Sequence, residues 1–354
     1  MSNDKYVGMD VHLATIMVVV LNAAGKCVME SVIETKGKTI IEFLSGLSGT
    51  VHVIFEEGTQ STWLYDLIKP RVAEVVVCNA RRHQKEAGEN HADRVDANKL
   101  ANRLRVGEAK GVYKGDQGLR TLKELVHSYN YLVQDTTRVM NRIKALYRGR
   151  GIGCRGRRVY QVRGREEWLK ELKEPGLRRR AELLYRELDE LRGLRREAKR
   201  AMLGEAKRHK ATEVVQRVPG IGPVRAAQIL AVVMTPHRFR TKRQFWCYCG
   251  FGVVTHSTAQ YCYVDGRLEK RKRPAMTRGL NGNHNRQLKE VFKSAALEAM
   301  KEEEFASYYQ EMVSEGTRSE MARLNVARKL AAITLAVWKS EGEYKAERVN
   351  KQAA

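Results

Sequence analysis

The sequence predicts an α/β N-terminal domain, a helical coiled-coil arm and a mainly α C-terminal domain. Three observations carry that reading. Short apolar runs alternate with helix-period patterns over residues 5–78. Leucines recur by seven within 177–209. A glycine-punctuated turn at Val218–Arg225 leads into a helix.

In order, Tyr6–Asp10, Thr15–Leu21 and Cys27–Ile33 are expected strands, the last two joined by the turn Asn22-Ala23-Ala24-Gly25. A helix near 37–47, with Ile40, Ile41, Leu44 and Leu47 apolar, leads to a strand Val51–Phe55. A helix near 60–69 and a strand Glu74–Cys78 follow. Three strands, helix, strand, helix, strand is an α/β plan of ribonuclease-H (RuvC-like) type, whose sites lie at strand ends. The basic stretch Arg81–Lys85 links this plan to a helix headed by Asp93.

Acids stand where that plan puts its chemistry. Asp10 closes the first strand and Glu56-Glu57 close a later one, while Asp93 and Asp96 share one helical face through their spacing of three. Each has an ordinary alternative: a turn residue, a solvated strand end, or a helix cap with a first-turn acid favoured by the dipole. Taken together, carboxylates from two strand tips and one helix crowd like charge unless cations sit among them. Oxygen-only donors suit Mg²⁺ or Mn²⁺, and paired ions of this kind serve phosphodiester chemistry.

Composition narrows the partners. With 43% hydrophobic residues the 354-residue chain can bury a core, and its length implies more than one domain. A formal net charge of +24 and a pI near 9.9 point to a polyanion. No apolar stretch approaches the roughly 20 residues of a spanning helix, so no membrane partner is expected. The six cysteines are scattered and no basic-then-apolar leader opens the chain, which points to a reducing cytoplasm.

Beyond residue 110 a helical pattern over 118–147 carries Leu122, Leu125, Val126, Tyr129, Leu132 and Val133 on one stripe. The segment after it alternates arginine with glycine: Arg148, Arg150, Arg155, Arg157 and Arg158 make a flexible cationic stretch able to follow a phosphate backbone. Pro175-Gly176 reads as a break before the long helix of 177–209, where Leu177, Leu184 and Leu191 form a seam for packing within the chain or against a second copy.

Val218-Pro219-Gly220-Ile221-Gly222-Pro223 resembles a helix-hairpin-helix signature, in which Gly220 and Gly222 turn the chain into a helix whose first N–H groups can hold a phosphate. Cys247, Cys249, His256 and Cys262 match no common zinc-finger spacing. Ser257 stands beside His256 and ahead of the basic run Lys270-Arg271-Lys272-Arg273. A serine becomes a nucleophile only where its proton is taken and the resulting charge stabilised.

The chain as a whole resembles the DEDD-type transposases of insertion sequences related to the Piv/MooV recombinases, the bridge-RNA-guided recombinases. The resemblance runs through Met9-Asp10-Val11-His12, Glu57-Gly58-Thr59 with Trp63, and Asp93-Arg94-Val95-Asp96-Ala97. It continues through Pro219-Gly220-Ile221-Gly222, Tyr248-Cys249-Gly250-Phe251, His256-Ser257-Thr258, Thr277-Arg278-Gly279 with Asn281, and Ala327-Arg328-Lys329-Leu330. Val253-Val254 and Ala259 depart from the family pattern around the serine.

That resemblance implies a RuvC-like domain over 1–110, a coiled-coil region over 111–210, a transposase domain over 211–345 and a tail at 346–354. It implies metal ligation by Asp10, Glu57, Asp93 and Asp96; Glu57 is preferred over Glu56 because the family frame puts the acid six residues before Trp63. It implies Ser257 as a nucleophile forming a covalent DNA ester, a structured guide RNA, a dimer or tetramer, and a prokaryotic cytoplasm. The alternative is a junction-resolving nuclease that uses the same acids with water as nucleophile.

Overall fold

The computed structural model describes residues 3–79, 92–109, 111–112, 119–256, 261–264, 267–270 and 276–350, with backbone alone for His256, 261–264, 268–270, 276–278 and Asn350. Arg81–Lys85, Ser257 and Arg271–Arg273 lie outside the described residues. The chain divides into two compact units, Met1–Lys114 and Gly115–Ala354.

In the first unit, β1 (Asp4–Val11), β2 (Thr15–Asn22) and β3 (Cys27–Glu34) precede α1 (Gly37–Ser45), β4 (Thr50–Glu56), α2 (Ser61–Ile68), β5 (Glu74–Cys78) and α3 (Asp93–Arg105). The element order is the expected one, with boundaries moved by a few residues. The sheet runs β3-β2-β1-β4-β5. β1 is antiparallel to β2 and parallel to β4, and β4 is parallel to β5.

Both faces of the sheet are covered, which is why these strands read as continuous apolar runs. Val7, Met9, Val53 and Phe55 pack with Ile40, Leu44, Leu64 and Ile68 of α1 and α2. On the other face Val19 and Leu21 meet Ala97 and Ala101 of α3, while Ile54 and Cys78 meet Leu100 and Leu104. Each fully buried leucine contributes about 1.5–3 kcal/mol, so this small apolar stripe holds an otherwise polar α3 against the sheet.

The second unit begins with α4 (Arg120–Arg148), α5 (Arg165–Lys170) and α6 (Pro175–Ala206). α4 and α6 run antiparallel: Leu122 and Val126 share a core with Met202 and Ala206, and Val139, Ile143 and Tyr147 share another with Ala181, Tyr185 and Leu188. The heptad face of α6 is therefore taken up within the chain, with Leu184 and Leu191 flanking the buried stripe.

Two expectations change here. Pro175-Gly176 does not break the chain before α6; Pro175 is its first residue, where a missing N–H and a preset φ suit a helix start. The arginine–glycine stretch is not a free tether, because Cys154, Val159 and Tyr160 are buried in the arm's own core. Its arginines 148, 150, 155, 157 and 158 stay exposed around that anchor.

α7 (Lys210–Gln216), α8 (Pro223–Val233) and α9 (Lys242–Cys249) follow. Two short antiparallel pairs come next: β6 (Val253–His256) with β9 (Met276–Leu280), and β7 (Tyr261–Val264) with β8 (Arg267–Lys270). The chain then forms α10 (Arg286–Ala299), α11 (Glu303–Ser314), α12 (Ser319–Ser340) and α13 (Glu347–Asn350). α12 is buried at Ala322, Val326, Ala327, Leu330, Ala331, Ile333, Leu335, Val337 and Trp338, the pattern of a helix surrounded by others. The base of the arm shares this core.

Candidate metal centre

Strand pleating decides which acids meet. Val7 and Met9 face α1 and α2, so Gly8 and Asp10 face α3. Gly8 lies so close to α3 that an added Cβ would stand 2.0 Å from the Ala97 carbonyl oxygen and 2.7 Å from the Ala101 nitrogen. Only glycine permits this approach, and it brings the head of α3 to the end of β1. A salt bridge of 2.6 Å from Arg94 Nε to Glu30 ties the first turn of α3 to β3.

Asp93 is the first residue of α3 and its cap is Ala92, so Asp93 is not the capping residue itself. His12, just past β1, stands between the two elements: its Nε2 is 3.3 Å from Asp10 Oδ2 and 3.3 Å from Asp93 Oδ2. Burial raises the Asp10 carboxyl above the usual range, His12 opposes that rise, and the nearby charges of Asp93 and Asp96 add to it. Asp10, Asp93 and Asp96 therefore form one electrostatic cluster. The sequence pattern does not mark His12 as a site residue; its place two residues after Asp10 is the signal it offers.

The ladder also separates Glu56 from Glu57. β1 and β4 pair Gly8 with Ile54 and Met9 with Phe55, so the next position beside Asp10 is Glu56. Ile54 packs toward α3, and alternation puts Glu56 on that same face. The Cys78 thiol, also on that face, is pushed up to about 11 by burial first and by the Glu56 carboxylate second. Glu57 is one residue past the strand, exposed, with its amide donated to the Cys78 carbonyl at 2.8 Å. The ladder thus sets Glu56, the residue before the Glu57 of the family frame, beside Asp10.

In the second unit the two hairpin glycines part company. Gly220 has φ +76, and a Cβ there would stand 2.3 Å from the Ala295 carbonyl oxygen and 2.9 Å from the Ala299 nitrogen. It is a packing glycine against α10, and its own carbonyl accepts from Arg225 Nη1 at 2.8 Å. Gly222 caps α8 in an extended conformation with open space around it. It borders a cleft of about 430 Å³ lined also by Tyr129, Asn130, Arg225, Gln228 and Ser294.

Lys270 ends β8 in the backbone, while Ser257 and Arg271–Arg273 fall outside the described residues. Among the described residues, Asp10, His12 and Asp93 form the cluster whose ligand atoms could share a metal ion, all lying within 4.8 Å of one another. No helix among them is long and apolar enough to cross a membrane.

No curated protein matches the chain. Residues 7–149 match the model of the DEDD transposase domain of IS110 elements, described as "Transposase". Residues 212–310 match a model described as "Transposase IS116/IS110/IS902 family". The two matches follow each other in order and together span more than half of the sequence. The chain belongs to the IS110 family of transposases and is a DNA transposase/recombinase.

Proposed function

We propose that the protein cleaves and rejoins the DNA of its own insertion sequence through a cation held by Asp10, Glu56, Asp93 and Asp96, with Ser257 as nucleophile. The observation that carries this reading is the convergence of Asp10 from a strand tip and Asp93 from a helix head on one imidazole. The β3-β2-β1-β4-β5 order supports a RuvC-like assignment for the first unit. The donor set is mainly hard oxygen and partly solvent-facing, with Asp10 25% and Asp93 65% exposed, which suits a divalent ion that keeps waters. A bound Mg²⁺ or Mn²⁺ supplies positive charge that polarises the scissile phosphate.

The serine step is balanced without a high-energy cofactor. Ser257 Oγ loses its proton to a base and bonds to phosphorus, the scissile P–O bond breaks, and the departing oxygen takes a proton. Reversal of the same exchange on a second end rejoins the strands. The exposed arginines 148, 150, 155, 157 and 158, the Gly222 turn and the run Lys270–Arg273 serve as backbone contacts that do not read sequence. Target choice then falls to a structured guide RNA, and assembly as a dimer or tetramer brings acids and serine of different copies together.

The test is covalent trapping of the full chain with its element's end DNA, the adjacent non-coding RNA and Mg²⁺, followed by a denaturing gel. A protein–DNA adduct that disappears in both Ser257→Ala and Asp10→Ala is the expected result. Cleavage without an adduct, unchanged in Ser257→Ala, would replace this reading with a nuclease that uses water.

A further inference from the structure

We infer that His12 is a direct ligand of the cation, and that its nitrogen makes the site prefer Mn²⁺ and similar transition-metal ions over Mg²⁺. The inference rests on the metal reading above and adds a donor that a four-carboxylate site lacks. The His12 amide donates to the Thr15 carbonyl at 2.9 Å, and Thr35 Oγ1 donates to the His12 carbonyl at 2.9 Å. The turn between β1 and β2 is thus pinned from two sides, which fixes the backbone from which the imidazole reaches the two acids.

Metal–ligand bonds of about 2.1 Å put neighbouring donors of an octahedral site about 3.0 Å apart. His12 Nε2 lies 3.3 Å from Asp10 Oδ2 and 3.3 Å from Asp93 Oδ2, close to that spacing on both sides. Without an ion the two contacts are salt bridges, and His12 opposes the rise of the Asp10 carboxyl. Nε2 carries at most one hydrogen, and that hydrogen cannot point well at two carboxylates together. A lone pair on Nε2 directed at a shared cation serves all three groups at once.

Chemistry then sets the preference. Oxygen donors suit Mg²⁺ and Mn²⁺ alike, while imidazole suits later transition metals such as Zn, Fe and Ni. Of the two ions an oxygen-rich site accepts, Mn²⁺ is the transition metal and the one that gains from a nitrogen donor. The His12 side chain is half exposed, as a ligand at the open edge of a site would be, which leaves room for water or a phosphate oxygen.

The experiment uses the full chain freed of metal. Mn²⁺ affinity is read from the electron paramagnetic resonance of free Mn²⁺, and Mg²⁺ affinity from its competition. In His12→Ala the Mn²⁺ affinity is expected to fall by about tenfold or more while that for Mg²⁺ changes little, so their ratio collapses. In the Mn²⁺-loaded wild type, pulsed spectra are expected to carry modulation from a bound imidazole nitrogen that His12→Gln removes.

An unchanged ratio, whether both affinities fall together or neither falls, overturns the inference and leaves His12 a positioning residue. Absence of the nitrogen modulation in wild type overturns it as well, even where a variant folds poorly. Asp10→Asn separates the two levels: loss of both ions there preserves the metal site whatever His12 does. Retention of both ions in Asp10→Asn would remove the site and the inference together.

Discussion

Gly8 and Gly220 solve the same packing problem in different units. Each sets bare backbone against a pair of alanines four apart on a helix, Ala97 and Ala101 for Gly8 and Ala295 and Ala299 for Gly220. The forbidden Cβ distances are nearly the same, 2.0 and 2.7 Å in one and 2.3 and 2.9 Å in the other. What surrounds the contact differs. Two residues after Gly8 stands Asp10, and α3 carries Asp93 and Asp96 at its head, so close approach gathers charge. Beside Gly220 the approach gathers apolar core, and the residue that faces open space is Gly222. A glycine in a motif thus reports that something must come close, while its neighbours decide whether that something is a ligand or a helix.

Substitutions can break this comparison. Gly220→Ala meets both a left-handed φ and a backbone clash, and a loss of about 3 kcal/mol or more is expected from their combination. Thermal unfolding should show it, with cation binding by the remaining folded protein unchanged. Asp10→Asn is expected to cut strand cleavage by about 10²-fold or more. Its melting temperature should hold or rise, because a half-buried carboxylate crowded by Asp93 and Asp96 is neutralised. A parallel loss of stability would mean that Asp10 is structural.

Gly8→Ala sharpens the contrast, because its clash should spread the acids as well as strain the packing. About 1–3 kcal/mol of stability is expected to go, together with a drop in cation affinity that Gly220→Ala does not show. Calorimetric titration of Mn²⁺ into both variants compares them directly, and equal affinities would deny Gly8 a positioning role. Glu56→Gln should lower cleavage about tenfold more than Glu57→Gln; the reverse order would restore the assignment drawn from the family frame. Smallest of all, Gly222→Ala is expected to cost about 1 kcal/mol or less, the penalty for alanine at the α8 cap, since nothing lies within 4 Å of its Cβ position. An effect of Gly222→Ala confined to DNA affinity in a gel-shift assay would mark the cleft beside it as a phosphate contact.

Local chemistry wrote much of the protein plainly. Alternation of apolar runs and turn residues determined β1 to β5 and the helices between them, because a sheet covered on both faces needs continuous apolar strands. The spacing of Asp93 and Asp96 determined that they share a face of α3, and the heptad determined α6. Proline at 175 is ambiguous in sequence because a helix start and a helix break use the same residue.

Tertiary structure alone decided the rest. Whether Glu56 or Glu57 faces Asp10 depends on the parity of β4 against β1, which no run of residues within β4 can state. That His12 reaches both Asp10 and Asp93 depends on how near Gly8 lets α3 approach. The arm's heptad face turned inward because α4 supplied Val139, Ile143 and Tyr147 to meet it. In each case a sequence names the groups that can interact, but which of them meet depends on what the fold sets across from them.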